Sequence, residues 1–218
     1  MTPPEVQIWL ALPEAAARLV PERLSPADQA RWEARRAGRK AVEWAGSRAL
    51  LQHLALPSAA SRSLTHAASH AAVVVASPSC TTGIDLEAVR PRNVRRLAQL
   101  CYADEESEPG ADASGSGNLR EFYIRWTLKE AFAKALGLPL ATALRQCCFW
   151  PGDGGWHGRV PTGSRWRAAV YEPRTGLMLA VALTGECVPD AGGWTLQEWP
   201  PGHVASWPVV AALSAGAR

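Results

Sequence analysis

Two helical runs, residues 25–56 and 119–137, each stand between stretches of strand character, and this order constrains the fold more than any single residue does. "VQIWLAL" (6–12) reads as a first strand. In the run 25–56, Ser25 is placed as an N-cap, with Pro26 at the first helical position and apolar residues at helical spacing behind it. "LPSAASRS" (56–63) reads as a loop. "AAVVVAS" (71–77) is a buried strand, and "TGIDLEAV" (82–89) is expected as its hairpin partner across Ser77-Pro78-Ser79. A basic stretch is expected to turn helical after Asn93. The small polar run 107–118 is read as a loop and not a phosphate cradle, because no strand precedes it and no Gly-Lys-Ser/Thr follows. After the second helix come "QCCFW", "RWRAAVYEP" and "LMLAVALT", the last two joined by the turn Arg174-Thr175-Gly176. The pattern is α+β, strand, helix and hairpin given roughly twice, without a residue-level repeat.

Composition narrows the function classes. At 218 residues and 47% apolar, the chain can bury a sizeable core. A net charge of +3 is too small to imply nucleic acid, and suits an anionic small molecule or an acidic protein equally well. The five Cys include no Cys-x-x-Cys pair, which favours free thiols in a reducing compartment over a zinc site. No signal sequence and no run of about 18 apolar residues is present, so a cytoplasmic location is expected, without a membrane partner.

Two segments carry the chemistry. In "GIDLE", strand alternation puts Ile84 and Leu86 on one face and Asp85 and Glu87 on the other. For an isolated Asp-x-Glu the plainer reading is a solvent-facing strand edge; the functional one is that neighbouring carboxylates repel, and a divalent cation with its preference for hard oxygen ligands relieves them. Gly83, just before the pair, permits another group to approach closely. In "WTLKEAFAKALG" (126–137), a helical wheel groups Leu119, Tyr123, Trp126, Ala133 and Gly137 into an apolar face that contains Glu130. A carboxylate facing a core is costly unless something pairs with it. A surface pair between Glu130 and Lys134 at i, i+4 is the plainer reading. If the helix packs across the hairpin, however, Glu130 meets Asp85 and Glu87, and the three make a Mg²⁺ site with Lys129 and Lys134 beside it for phosphate.

These two segments, Gly-x-Asp-x-Glu followed by Trp-x-x-Lys-Glu-Ala-x-x-Lys-Ala, resemble the signature motifs of the 4'-phosphopantetheinyl transferases. The likeness is to the two-halved, surfactin-synthetase-activator type that serves peptide and polyketide synthases. It extends to "SRALLQHL", to "LTHAASHAAVVVA" (64–76) and to Glu105–Glu106, covering roughly residues 24–145. The resemblance implies a pseudo-symmetric pair of similar α+β halves with the active site at their interface. The halves are 1–81, with coenzyme A contacts, and 82–218, with the metal and catalytic residues. It implies transfer of the 4'-phosphopantetheine arm of coenzyme A to a serine of an apo acyl or peptidyl carrier protein, releasing 3',5'-ADP. Asp85, Glu87 and Glu130 match the metal-binding carboxylates, and Glu130 also matches a group that helps deprotonate the serine. Lys134 matches the lysine at the leaving nucleotide, and Lys129 a phosphate contact. His66 and Arg48 match residues near the 3'-phosphate. Thr65 and Ala67 stand where the family has serine. The usual upstream Gly-Lys-Pro is absent, which leaves Arg62 as the cation there; Cys101-Tyr102 stands for Phe-Phe. A monomer is expected.

Two rival readings stand beside this one. A metal-dependent phosphohydrolase would turn the same carboxylates on water. A non-catalytic basic adaptor would bind acidic partners through Arg90, Arg92, Arg95 and Arg96, a run that is otherwise a solvated helix face or a docking surface for an acidic carrier protein. His66 and His70 have metal spacing only on a helix. In a strand they stand about 13 Å apart, so zinc is not expected.

Overall fold

The structure, a computed structural model, describes residues 6–34, 39–103, 106, 119–186, 188–201 and 206–215. The run 107–118, Glu105 and Cys187 lie outside the described residues. The fold is α+β. Strand β1 (Val6–Ala11) leads to helices α1 (Pro26–Ala34) and α2 (Arg39–Leu54). Ser25 Oγ accepts from Asp28 N at 3.2 Å, the N-cap that the sequence proposes. Strands β2 (Ser61–Ala67) and β3 (His70–Ala76) follow as a hairpin, turned through left-handed Ala68 (φ 50) and Ser69 (φ 67). Then come β4 (Cys80–Ala88), α3 (Val94–Cys101), α4 (Leu119–Leu136) and α5 (Leu140–Gln146). The chain closes with β5 (Cys148–Gly152), β6 (Gly155–Arg159), β7 (Arg165–Arg174), β8 (Leu177–Gly185), β9 (Trp194–Trp199) and β10 (Val209–Ser214). Asn93 Oδ1 caps α3 by accepting from Arg96 N.

One sheet has the order β2-β3-β1-β9 and a second β10-β7-β8-β4; β5 and β6 form a separate hairpin. In each large sheet a strand, a helical stretch and a hairpin follow one another, and the first strand pairs with the hairpin's second strand. The sheets pack face to face. Val6, Ile8, Leu10, Ala72 and Val74 of the first meet Ile84, Leu86, Leu179, Val181 and Leu183 of the second. The far face of the first sheet, with Ala71 and Val73, takes Ala49 and Leu50 of α2. The far face of the second, with Ala180 and Ala182, takes Leu128, Ala131 and Phe132 of α4. Strand β8 is therefore covered on both sides, which is why "LMLAVALT" is apolar without alternation.

Three expectations are corrected. Strand β4 is not the hairpin partner of β3: β3 is flanked by β1 and β2, and the Ser77-Pro78-Ser79 turn carries the chain across to the second sheet, where β4 pairs with β8. The segment read as a loop contains the start of β2. Its Ser61, Ser63 and Thr65 face β4, so this edge strand is polar. Ser61 Oγ and Thr82 Oγ1 lie 3.2 Å apart, Ile84 N donates to Ser63 Oγ at 3.2 Å, and Thr65 Oγ1 donates to Asp85 Oδ1 at 3.4 Å. The division at 81/82 falls inside β4, and β9 returns from the C-terminal part of the chain to lie parallel to β1, so the first sheet is not contiguous in sequence.

Candidate active site

Where β2, β4 and α4 meet, a pocket of about 360 Å³ opens. Thr65 and His66 line it from β2, Asp85 and Glu87 from β4, and Glu130 and Lys134 from α4. Strand alternation places the two β4 carboxylates, because their neighbours Ile84 and Leu86 are committed to the intersheet core. The helix is brought over them at Gly83. A Cβ built there would overlap the carbonyl oxygen of Ala131 and stand 2.7 Å from Ala135 N. The close approach allowed by Gly83 is thus that of the α4 backbone.

Glu130 does not stand in the core-packed face of α4, contrary to the expectation from the helical wheel. The face of α4 packed on the second sheet is Ile124, Leu128, Ala131, Phe132 and Ala135. The helix is buried nearly all round, and the stripe containing Trp126 and Glu130 is its more open side, ending in exposed Lys134. Glu130 faces a polar pocket, and its position there meets Asp85 and Glu87 as the sequence suggests.

The electrostatics follow from crowding. Asp85 is 4% exposed, and burial pushes its carboxyl above the ordinary value against the pull of Lys134. Burial, and then the charge of Asp85, raise Glu87. Glu130 is pushed up to about 7, first by burial, then by Asp85 and Glu87, with Lys134 opposing. Lys134 Nζ donates to Ile84 O at 2.7 Å and to Asp85 Oδ1 at 2.9 Å. Trp126 Nε1 donates to Glu87 Oε1 at 3.2 Å, a contact that the sequence does not advertise. Among the described residues, Asp85 Oδ2 is buried with no hydrogen-bond partner. A buried, unpartnered carboxylate oxygen among two further carboxylates is the donor chemistry of a hard divalent cation. These side chains are not drawn into a finished cage: no group of three His, Cys, Asp or Glu among the described residues is already arranged to hold a metal ion.

The other site expectations divide. His66 lines the pocket, with its Nδ1 3.7 Å from Glu43 Oε2. Glu43, which no sequence pattern singles out, also accepts from Ser69 N at 3.1 Å and so braces the β2–β3 turn. His70 is structural: its Nδ1 lies 2.8 Å from Ala68 O. Arg48 does not line the pocket, because its fork is held by Asp28 at 3.0 and 3.4 Å and it lies over the Trp44 ring. Arg62 is exposed on β2, two alternations before His66 on the same face, and does not line the pocket. Lys129 is a clear correction. It is fully buried, pairs with buried Glu106, and donates to Cys101 O at 2.8 Å and Leu144 O at 2.7 Å. Its three protons are used inside the protein, and none is left for phosphate. Glu106 also accepts from Ala103 N and Phe149 N, both at 2.8 Å, which makes it an anchor for α4. Cys80, Cys101, Cys147 and Cys148 are buried, and burial pushes the Cys147 thiol up to about 12.

Residues 81–176 match the family model of the 4'-phosphopantetheinyl transferase superfamily. The matched span contains Asp85, Glu87, Glu130 and Lys134, the β4 and α4 walls of the pocket; the β2 wall lies before it. The match supports phosphopantetheine transfer in general, with coenzyme A and carrier-protein substrates. A comparison with curated proteins finds no match. No helix among the described residues is long and apolar enough to cross a membrane.

Proposed function

We propose that this chain is a Mg²⁺-dependent 4'-phosphopantetheinyl transferase of the two-halved type, moving the phosphopantetheine arm of coenzyme A to a serine of an apo carrier protein. The observation that carries the reading is the meeting of Asp85, Glu87 and Glu130 in one pocket, with Asp85 Oδ2 unpartnered and Lys134 alongside. Asp85, Glu87 and Glu130 would hold the metal, which supplies charge neutralisation for a pyrophosphate.

The protein's own groups then act as follows. Glu130 accepts the proton of the carrier serine at a carboxylate oxygen. The serine oxygen bonds to the β-phosphorus of coenzyme A, and the bond from that phosphorus to the bridging oxygen breaks. Lys134 places an ammonium at the oxygen that leaves with 3',5'-ADP. His66, at the β2 wall, contacts the 3'-phosphate.

Intact-mass measurement of an apo carrier protein after incubation with enzyme, coenzyme A and Mg²⁺ tests the reading. The expected product is heavier by one phosphopantetheine arm. Cleavage of coenzyme A with the carrier unmodified would instead identify a hydrolase.

A further inference from the structure

Lys134 stands where a second cation is wanted. Its Nζ is 2.9 Å from Asp85 Oδ1 and 2.7 Å from Ile84 O, so the ammonium sits against the most buried carboxylate of the pocket. Among the described residues that line the pocket, Lys134 brings the one ammonium to three carboxylates, with the charge of Arg92 acting on Glu87 from beyond the lining, and Asp85 Oδ2 has no hydrogen-bond partner. A divalent ion would neutralise this cluster further and satisfy Oδ2. It would also share Asp85 with the ammonium, and two cations on one carboxylate repel. Lys134 has the freedom to yield. It lies on the last turns of α4, its side chain is 34% exposed, and its charge rides on a flexible four-carbon stem.

We propose that Lys134 is an internal stand-in for the metal: divalent-cation binding displaces its ammonium from Asp85 Oδ1 into the pocket, where it becomes free for the anionic substrate. The inference rests on the reading of Asp85, Glu87 and Glu130 as the cation ligands. It orders the events, cation first and pyrophosphate second, and makes Lys134 a setter of metal affinity as well as a phosphate contact. Because the competition is reciprocal, removing the ammonium must tighten metal binding by the factor with which metal weakens its hold on Asp85.

Two measurements test this without turnover. Mn²⁺ affinity is measured by electron paramagnetic resonance at pH 8 for wild type, Asp85→Asn, Lys134→Gln and Lys134→Met. Lys134→Gln keeps a donor for Ile84 O, and Lys134→Met keeps the stem volume, so neither depends on the other's fold. Both Lys134 variants are expected to bind Mn²⁺ at least about fivefold more tightly than wild type. In the wild-type protein the side-chain ammonium signals of isotope-labelled lysine are followed during a Mg²⁺ titration. The chain has three lysines, Lys40, Lys129 and Lys134. The signal missing from Lys134→Gln is expected to shift or vanish with Mg²⁺, and that of buried Lys129 to stay. If wild type takes up no Mn²⁺, or Asp85→Asn takes it up equally, the carboxylate site itself is wrong and the inference falls with it. If wild type binds Mn²⁺ through Asp85 but the Lys134 variants bind no tighter, or the Lys134 signal does not move, the displacement alone is overturned.

Discussion

Gly83 lies directly beneath the carbonyl oxygen of Ala131, with no room between β4 and α4 for a methyl group. This contact fixes the height of α4 over β4 and hence the distance from Glu130 to Asp85. Gly83→Ala must push the helix off the strand, because the obstructing atoms are backbone and cannot rotate away. The expected cost is about 3 kcal/mol or more, seen as a fall in melting temperature and accompanied by weaker Mn²⁺ uptake. A variant that melts like wild type would show that the helix does not rest there.

The buried pair Lys129–Glu106 should act on folding and not on ligands. Lys129→Ala leaves Glu106 buried without its cation and is expected to cost about 3–5 kcal/mol. Lys129→Met combined with Glu106→Gln removes both charges together and is expected to recover much of that loss. The folded double variant should bind coenzyme A within about twofold of wild type by calorimetry. A large loss of affinity in a stable double variant would restore Lys129 as a phosphate contact.

What the sequence revealed depended on whether a residue's surroundings are local. The β4 alternation was legible because one face of that strand is core and the other is site, and period two reports both. The β2 strand was hidden because its inward residues are Ser61, Ser63 and Thr65, which bond to β4 through hydroxyls and read as loop. The α4 wheel misled because a helix buried nearly all round has no clear polar stripe; even Arg125 and Lys129 are inside. Lys129 resembled a ligand-facing lysine because its partner Glu106 lies far away along the chain. The same holds for Arg48 and Asp28, which meet only when α1 folds against α2.

Glu130 should report its crowding in stability measurements made with chelator present. Its folded-state carboxyl is raised from the ordinary value of 4.5 to about 7. The folded protein therefore holds this proton more tightly than the unfolded chain. The stabilisation is full below about 4.5 and is lost as pH rises through 7. Glu130→Gln mimics the protonated acid at every pH. At pH 8 it should be more stable than wild type by about 1–2 kcal/mol, the pKa difference reduced by solvent screening. At pH 4.5 the two should melt together. A Glu130→Gln protein less stable than wild type at pH 8 would mean that the carboxylates do not crowd one another.

The proposed 3'-phosphate contact distinguishes His66 from Arg48. His66 lines the pocket, whereas the Arg48 fork is occupied by Asp28. His66→Ala is expected to weaken coenzyme A by about tenfold or more, the loss of one charge-assisted contact, and to affect dephospho-coenzyme A little. Arg48→Ala should lower the melting temperature and leave both affinities within about twofold. Calorimetry of both ligands against both variants decides this, and the reverse pattern would return the 3'-phosphate to Arg48.

Glu198 ties β9, which is paired along its length with β1, to the end of β7, and this contact should be visible in acid. Arg174, at the end of β7, donates to the two Glu198 oxygens at 2.7 and 2.8 Å, and Trp207 Nε1 adds a bond at 3.0 Å. The Arg174 hydrogen bonds hold the Glu198 carboxyl below its ordinary value, more than partial burial raises it. A carboxylate lowered in the folded state contributes stability above the unfolded pKa near 4.5, and loses it as pH falls through the folded value. The Glu198 side chain is 7% exposed, but Arg174 is half in solvent, which weakens the pair. Glu198→Gln should therefore cost about 1–2 kcal/mol at pH 7. The gap between variant and wild type should narrow as pH drops below the unfolded value of 4.5 and on through the lower folded one, because protonated Glu198 is itself a neutral acceptor. Thermal melts of both proteins from pH 3 to pH 7 measure this, and a gap that stays constant across the range would show that charge at Glu198 does not hold β9 in place.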